Sequence, residues 1–147
     1  MPKVQADGLP LPQRYGAILT IVIGISMAVL DGAIANVALP TIATDLHATP
    51  ASSIWVVNAY QIAIVISLLS FSFLGDMFGY RRIYKCGLVV FLLSSLFCAL
   101  SDSLQMLTLA RVIQGFGGAA LMSVNTALIR LIYPQRFLGR GMGINSF

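Results

Sequence analysis

The chain has 147 residues, 58% of them hydrophobic and 10% charged, and its five acidic residues are all aspartate. With a mean hydropathy of +0.89 this is no soluble domain but an all-α integral membrane protein. The net charge of +4 does not indicate nucleic acid, because the basic residues are divided among short segments between apolar runs and form no single face.

Residues 1–14 hold three prolines and no apolar period, and read as a cytoplasmic tail carrying Lys3 and Arg14. From Tyr15 to Leu39 only Asp31 is charged, which is long enough to span a bilayer, and Pro40 is expected to close this first helix at about 15–40. A cleaved secretory signal is the lesser reading, since the apolar run exceeds the usual signal core and three more spans follow. Residues 41–53 form a polar loop with Pro50 and the single histidine, His47, which has no cysteine, glutamate or second histidine beside it to make a metal set.

The second span is expected at 54–74, with Trp55 and Tyr60 as interfacial anchors rather than a cation cage. Asn58 and Gln61 share one face of it, where they would either line a path or make interhelical hydrogen bonds. A tight, charge-dense turn follows at Gly75 to Arg82, then a third span at 83–101 whose Lys85 can snorkel to the interface. Cys86 and Cys98 are twelve residues apart on that span, roughly 18 Å along a helix and too far for a disulfide.

The fourth span, 104–132, carries Arg111 well inside an apolar run. A charge at that depth costs at least ~2.5 kcal/mol and persists where it faces a bundle interior or a watery cavity. Its helical neighbours Thr108, Gly115, Gly118, Met122 and Asn125 make a narrow stripe that is not built for lipid, and Gly115, Gly117 and Gly118 are expected to permit close helix packing. The span ends at Tyr133-Pro134, with Arg136 and Arg140 beyond, and from Gly141 a fifth helix begins.

Lysine and arginine number two in the tail, three in the region from Gly75 to Lys85 and three from Arg130 to Arg140, against none in the two intervening loops. Basic loops stay inside, so a multi-pass protein with a cytoplasmic N-terminus is expected. Asp31 then lies ~13 Å and Arg111 ~10 Å below the outer ends of their helices, close enough in depth to share a cavity.

Three stretches resemble the major facilitator superfamily of secondary transporters, and within it the fourteen-helix drug:proton antiporters. Leu30 to Pro40, LDGAIANVALP, is similar to the first-helix motif L-D-x-T-x-x-N-V-A-L-P, with Ala33 in place of threonine. Leu107, Arg111, Gln114, Gly115, Gly117 and Ala119 match the fourth-helix pattern L-x-x-x-R-x-x-Q-G-x-G-x-A. Leu74, Asp76, Gly79 and Arg81 follow the loop pattern G-x-L-A-D-R-x-G-R-R, which Ser72, Met77 and Tyr80 break.

The resemblance implies the N-terminal part of a major facilitator fold, and a proton-coupled exporter of amphipathic, cationic compounds in a bacterial inner membrane. It gives Arg111 to proton coupling and Asp31 to substrate or proton handling; Gln114 of the same fourth-helix pattern, and Asn58 and Gln61 from their shared helix face, are added as candidates for that path. Asp76, Gly79, Arg81 and Arg82 would form a cytoplasmic gating loop with Arg136 and Arg140. A carboxylate's proton affinity rises on burial and falls beside a guanidinium, so moving one against the other can load or discharge a proton. A static interhelical ion pair is the competing account of the same two charges.

The expected partners are protons, a small amphipathic substrate and the lipid bilayer, with no cofactor, metal or nucleic acid. A metabolite or sugar carrier of the same superfamily, or a small structural or regulatory membrane subunit, are the alternatives. No nucleophile, metal or phosphate-loop constellation suggests an enzyme. Family members continue for many more helices. The chain is therefore expected to be an N-terminal fragment that lacks the remainder of the transporter and does not transport alone.

Overall fold

A computed structural model describes residues 10–132. Most of the tail with Lys3, the arginines 136 and 140, and the fifth-helix start from 141 lie outside the described residues. Four helices follow in order, α1 (Leu11–Asp45), α2 (Pro50–Phe78), α3 (Tyr80–Ala99) and α4 (Leu104–Ile132). All four are long and apolar enough to cross a membrane.

The ends of the helices follow local chemistry more than hydropathy. Pro40 was expected to end α1, yet the helix runs through it to Asp45. Proline removes one rung of the ladder, and the Asn36 carbonyl that loses its partner sits near the end of the apolar run, where water can serve it. Just beyond, Thr44 Oγ1 donates to the Thr41 carbonyl at 2.7 Å, tightening the last turns. The helix then closes with His47 in the left-handed region at φ 49°, its N–H on the Thr44 carbonyl (3.2 Å) and that of Ala48 on the Ala43 carbonyl (2.9 Å). These are the paired bonds of a Schellman stop, so the lone histidine serves the backbone.

α2 begins at Pro50, earlier than its apolar run, because Thr49 caps it and proline suits the first helical position: Thr49 Oγ1 accepts from the Ser52 N–H at 3.2 Å. The charged segment 75–82 is almost wholly helical. Gly79 alone, at φ 93°, separates α2 from α3, a conformation that residues with a Cβ rarely take. At the other end Ser103 starts α4, its Oγ accepting from the Met106 N–H at 3.3 Å.

α4 is the axis of the bundle: 61% of its most apolar stretch is buried, against 17–28% for the other three. α2 and α3 pack along it, and α1 lies more lightly against α2 and α4. Lipid offers helices no hydrophobic reason to associate, so contact depends on small residues that admit a neighbouring backbone. Gly115 does this toward α2, where a Cβ would come within 2.7 Å of both the Tyr60 carbonyl oxygen and Ala63 Cβ. Gly117 does it toward α3, where a Cβ would meet Phe91 N at 2.7 Å and the Gly87 oxygen at 2.9 Å. Phe91, Leu121, Val124 and Tyr84 fill the interior, while Val37, Val65 and Leu69 present broad apolar faces outward.

Candidate functional site

The two charges read from sequence as buried within the spans meet. Arg111 on α4 is 3% exposed, and its Nη1 donates to Asp31 Oδ2 on α1 at 2.5 Å and to Gln114 Oε1 at 2.7 Å. Gln114, one turn after Arg111 and fully buried, donates its Nε2 to Asp31 Oδ1 at 2.9 Å. Both carboxylate oxygens are therefore engaged by α4, one by a cation and one by an amide, in a closed three-residue ring. The Asp31 side chain keeps 23% of its exposure at the surface of the described helices, while the guanidinium is buried among them.

Two further residues complete the surroundings. The Arg111 guanidinium lies over the Tyr60 ring, 4.2 Å from its centroid, a cation–π contact that shields the charge from the apolar interior. Tyr60 was expected to be an interfacial anchor; it is 5% exposed and sits deep against α4, because Gly115 and Gly118 vacate the space it fills. Trp55, a turn nearer the helix start, is 57% exposed. Cys98 Sγ donates to Gln114 Oε1 at 3.6 Å, a weak thiol bond that ties α3 to the ring.

The sequence did not mark Cys98, because Gln114 is the eleventh residue of α4 and the short α3–α4 connection by itself brings Cys98 only beside that helix's first turn. For Tyr60 only the vacancy was legible, as glycines four and seven residues after Arg111, and not which aromatic fills it.

Not every buried polar atom is used. Arg111 Nε and Nη2, the Tyr60 hydroxyl and Asn125 Oδ1 are buried without a hydrogen-bond partner among the described residues. A guanidinium has five N–H donors, so Arg111 keeps one edge available for an acceptor while its Nη1 holds Asp31 and Gln114.

The other residues singled out from sequence lie apart from this ring. Asn58 and Gln61 are exposed on α2 and make no side-chain hydrogen bond among the described residues. Asp76 accepts a hydrogen bond from the Tyr80 hydroxyl, one turn later across the helix break, and Arg81 and Arg82 are exposed on the first turn of α3. Arg136 and Arg140, their expected companions, fall outside the described residues. No group of three or more metal-ligating side chains occurs among the described residues.

Residues 21–147 match the Major Facilitator Superfamily. The chain is 34% identical over 136 residues to the riboflavin transporter RibZ of Clostridioides difficile, which covers 92% of this chain and 30% of that protein. It is 34% identical over 139 residues to the tetracenomycin C resistance and export protein of Streptomyces glaucescens, covering 95% of this chain and 25% of that one. It is 39% identical over 115 residues to the proposed multidrug resistance protein MdtD of Salmonella paratyphi B, covering 78% and 24%. The chain thus spans 24–30% of the length of these relatives. Four bilayer-length helices, a buried arginine on the fourth and a match over residues 21–147 agree: the chain belongs to the Major Facilitator Superfamily, whose members are transporters and not enzymes.

Proposed function

We propose that this chain forms the N-terminal membrane part of a proton-coupled drug exporter of the fourteen-helix antiporter type, with its N-terminus in the cytoplasm of a bacterium and amphipathic, cationic compounds as cargo. The observation that carries the reading is the ring of Asp31, Arg111 and Gln114. Its carboxylate is held by a buried guanidinium, on a side chain that keeps 23% exposure and so stays approachable, as a proton-binding switch requires. Protonating Asp31 would release its hold on Arg111, and a bound organic cation would compete with Arg111 for the same oxygens. The likeness to a tetracenomycin export protein and to a proposed multidrug resistance protein supports export. Asp76, Gly79, Arg81 and Arg82, with Arg136 and Arg140, are assigned to the cytoplasmic gate in this reading.

The test is a chimera in which this chain replaces the matching N-terminal segment of the MdtD relative, assayed in inverted vesicles for dye movement driven by a pH gradient. Dye transport that Asp31→Asn uncouples from the gradient is expected. Full coupling in that variant would remove Asp31 from the mechanism. The likeness to a riboflavin transporter favours one second reading, a metabolite carrier, which the same vesicles distinguish by taking up riboflavin in preference to cationic dyes.

A further inference from the structure

At the end of the bundle where α1 and α3 begin and α4 finishes, a groove of about 460 Å³ opens between the three helices. Its polar mouth carries Arg81 and Lys85, four residues apart and therefore on one face of α3, beside Gln13 of α1. Neither cation has a carboxylate partner among the described residues, and no acidic side chain lines the groove. Below the mouth the walls are apolar, with Ala17 and Ile21 on one side and Leu128 and Ile132 on the other. Tyr84 forms the floor: its hydroxyl donates to the Thr20 carbonyl at 2.9 Å, and its ring occupies the place that a side chain at position 24 would need, which Gly24 leaves free. This contact ties α1 to α3 across the floor of the groove.

The geometry points to a binding site for one anionic phospholipid, its phosphate between Arg81 and Lys85 and one acyl chain laid along Ile21 and Leu128. Paired cations at the membrane surface attract a phosphate, and a basic pocket between transmembrane helices is the arrangement that takes anionic headgroups. The depth fits as well. From Gln13 to Ile21 is eight residues, ~12 Å of helix, against ~15 Å for the hydrocarbon of one leaflet. A free phosphate ion would use the cations and leave the apolar walls without a partner. The assignment does not rest on the transport reading, with which it shares Arg81, or on which leaflet this end of the bundle faces.

The 147-residue chain, released from detergent micelles into a native mass spectrometer after mixing with phosphatidylglycerol or phosphatidylcholine, tests this directly. One retained phosphatidylglycerol per chain is expected, with a preference of at least about tenfold, since two surface cations together supply up to roughly thirtyfold. Arg81→Gln with Lys85→Gln should bring that preference within about twofold, whereas Arg82→Gln with Arg130→Gln, the same loss of charge outside the groove, should leave it intact. Gly16→Leu provides the second arm: Gly16 lines the groove and a Cβ there meets no atom within 4 Å, so the variant can fold while filling the acyl path, and it should lose the lipid with every charge in place. Glycerol phosphate in excess should not displace the lipid.

Equal loss in the charge-matched control would reduce the effect to general surface attraction and overturn the assignment. So would retention in Gly16→Leu, or displacement by glycerol phosphate. A dimer that Gly16→Leu dissolves, without any lipid adduct, would give the groove to a second copy of the chain and overturn it too.

Discussion

Replacing Asp31 by asparagine keeps the side chain's shape and removes its charge, which isolates what the ion pair contributes. One amide oxygen remains to accept from either Arg111 or Gln114, but not from both on separate oxygens, and Arg111 stays 3% exposed without a counter-charge. Breaking a fully buried pair costs about 3–5 kcal/mol. Here the Asp31 side chain is 23% exposed, so the pair is not fully buried and a smaller loss of about 2–3 kcal/mol is expected. Introduced into an Arg111→Gln background, the same change should cost far less, giving a coupling of about 1.5–2.5 kcal/mol in a double-mutant cycle. The assay is reversible unfolding of the purified chain in mixed micelles of rising sodium dodecyl sulfate content, followed by far-ultraviolet circular dichroism. If Asp31→Asn unfolds with wild type, or the coupling falls below about 0.5 kcal/mol, the ring does not hold α1 to α4.

Three other outcomes follow from the packing. Gly115→Ala should destabilise the α2–α4 contact and lower the unfolding midpoint, since even a methyl group meets the Tyr60 carbonyl oxygen at 2.7 Å, while Gly16→Ala should be silent; equal midpoints for the two would refute the close approach. Tyr60→Phe should be nearly neutral, because the hydroxyl has no partner among the described residues, and Tyr60→Leu should lose about 1–2 kcal/mol of cation–π contact in the same unfolding assay. His47→Gly should be neutral or stabilising by up to ~1 kcal/mol, as glycine takes a left-handed stop without the Cβ penalty; a marked loss would mean the imidazole does more than close α1.

The four spans were legible because hydropathy over about twenty residues reports a membrane segment directly. The helix ends were not, and Pro40 shows why. A proline is read as a stop, but its cost depends on whether the carbonyl it frees can reach water, which is a property of position in the bilayer and not of sequence. The segment 75–82 misled in the opposite sense. Charge marked it as leaving the membrane, and one positive-φ glycine was enough to turn the chain while both flanks stayed helical. In the candidate site, Asp31 and Arg111 stood out as charges at membrane depth, and Gln114 through the fourth-helix pattern it shares with Arg111. Tyr60 did not, because an aromatic near a helix start has two ordinary explanations. Only the depth of Gly115 and Gly118 on another helix chooses between them.

The members of the ring are unequally anchored, and this bears on how such a site can work. Arg111 and Gln114 share α4, the most buried helix, and α4 is fastened on opposite sides by Gly115 against α2 and Gly117 against α3. Asp31 stands on α1, which packs lightly against that unit. A small displacement of α1 would therefore break both bonds to the carboxylate and leave the Arg111–Gln114 bond and the Tyr60 stack in place. The guanidinium would lose its counter-charge without moving into lipid, and the freed carboxylate would face water or a solute. Interfaces with two discrete packings convert a local charge change into motion of a whole element, and on this asymmetry we propose α1 as the element that would move. Locking α1 to α4 by a cysteine pair at positions whose Cα atoms lie within disulfide reach should abolish gradient-driven dye transport in the chimera and restore it on reduction, whereas the same lock between α3 and α4 should leave transport intact; the reverse pattern would place the moving part elsewhere.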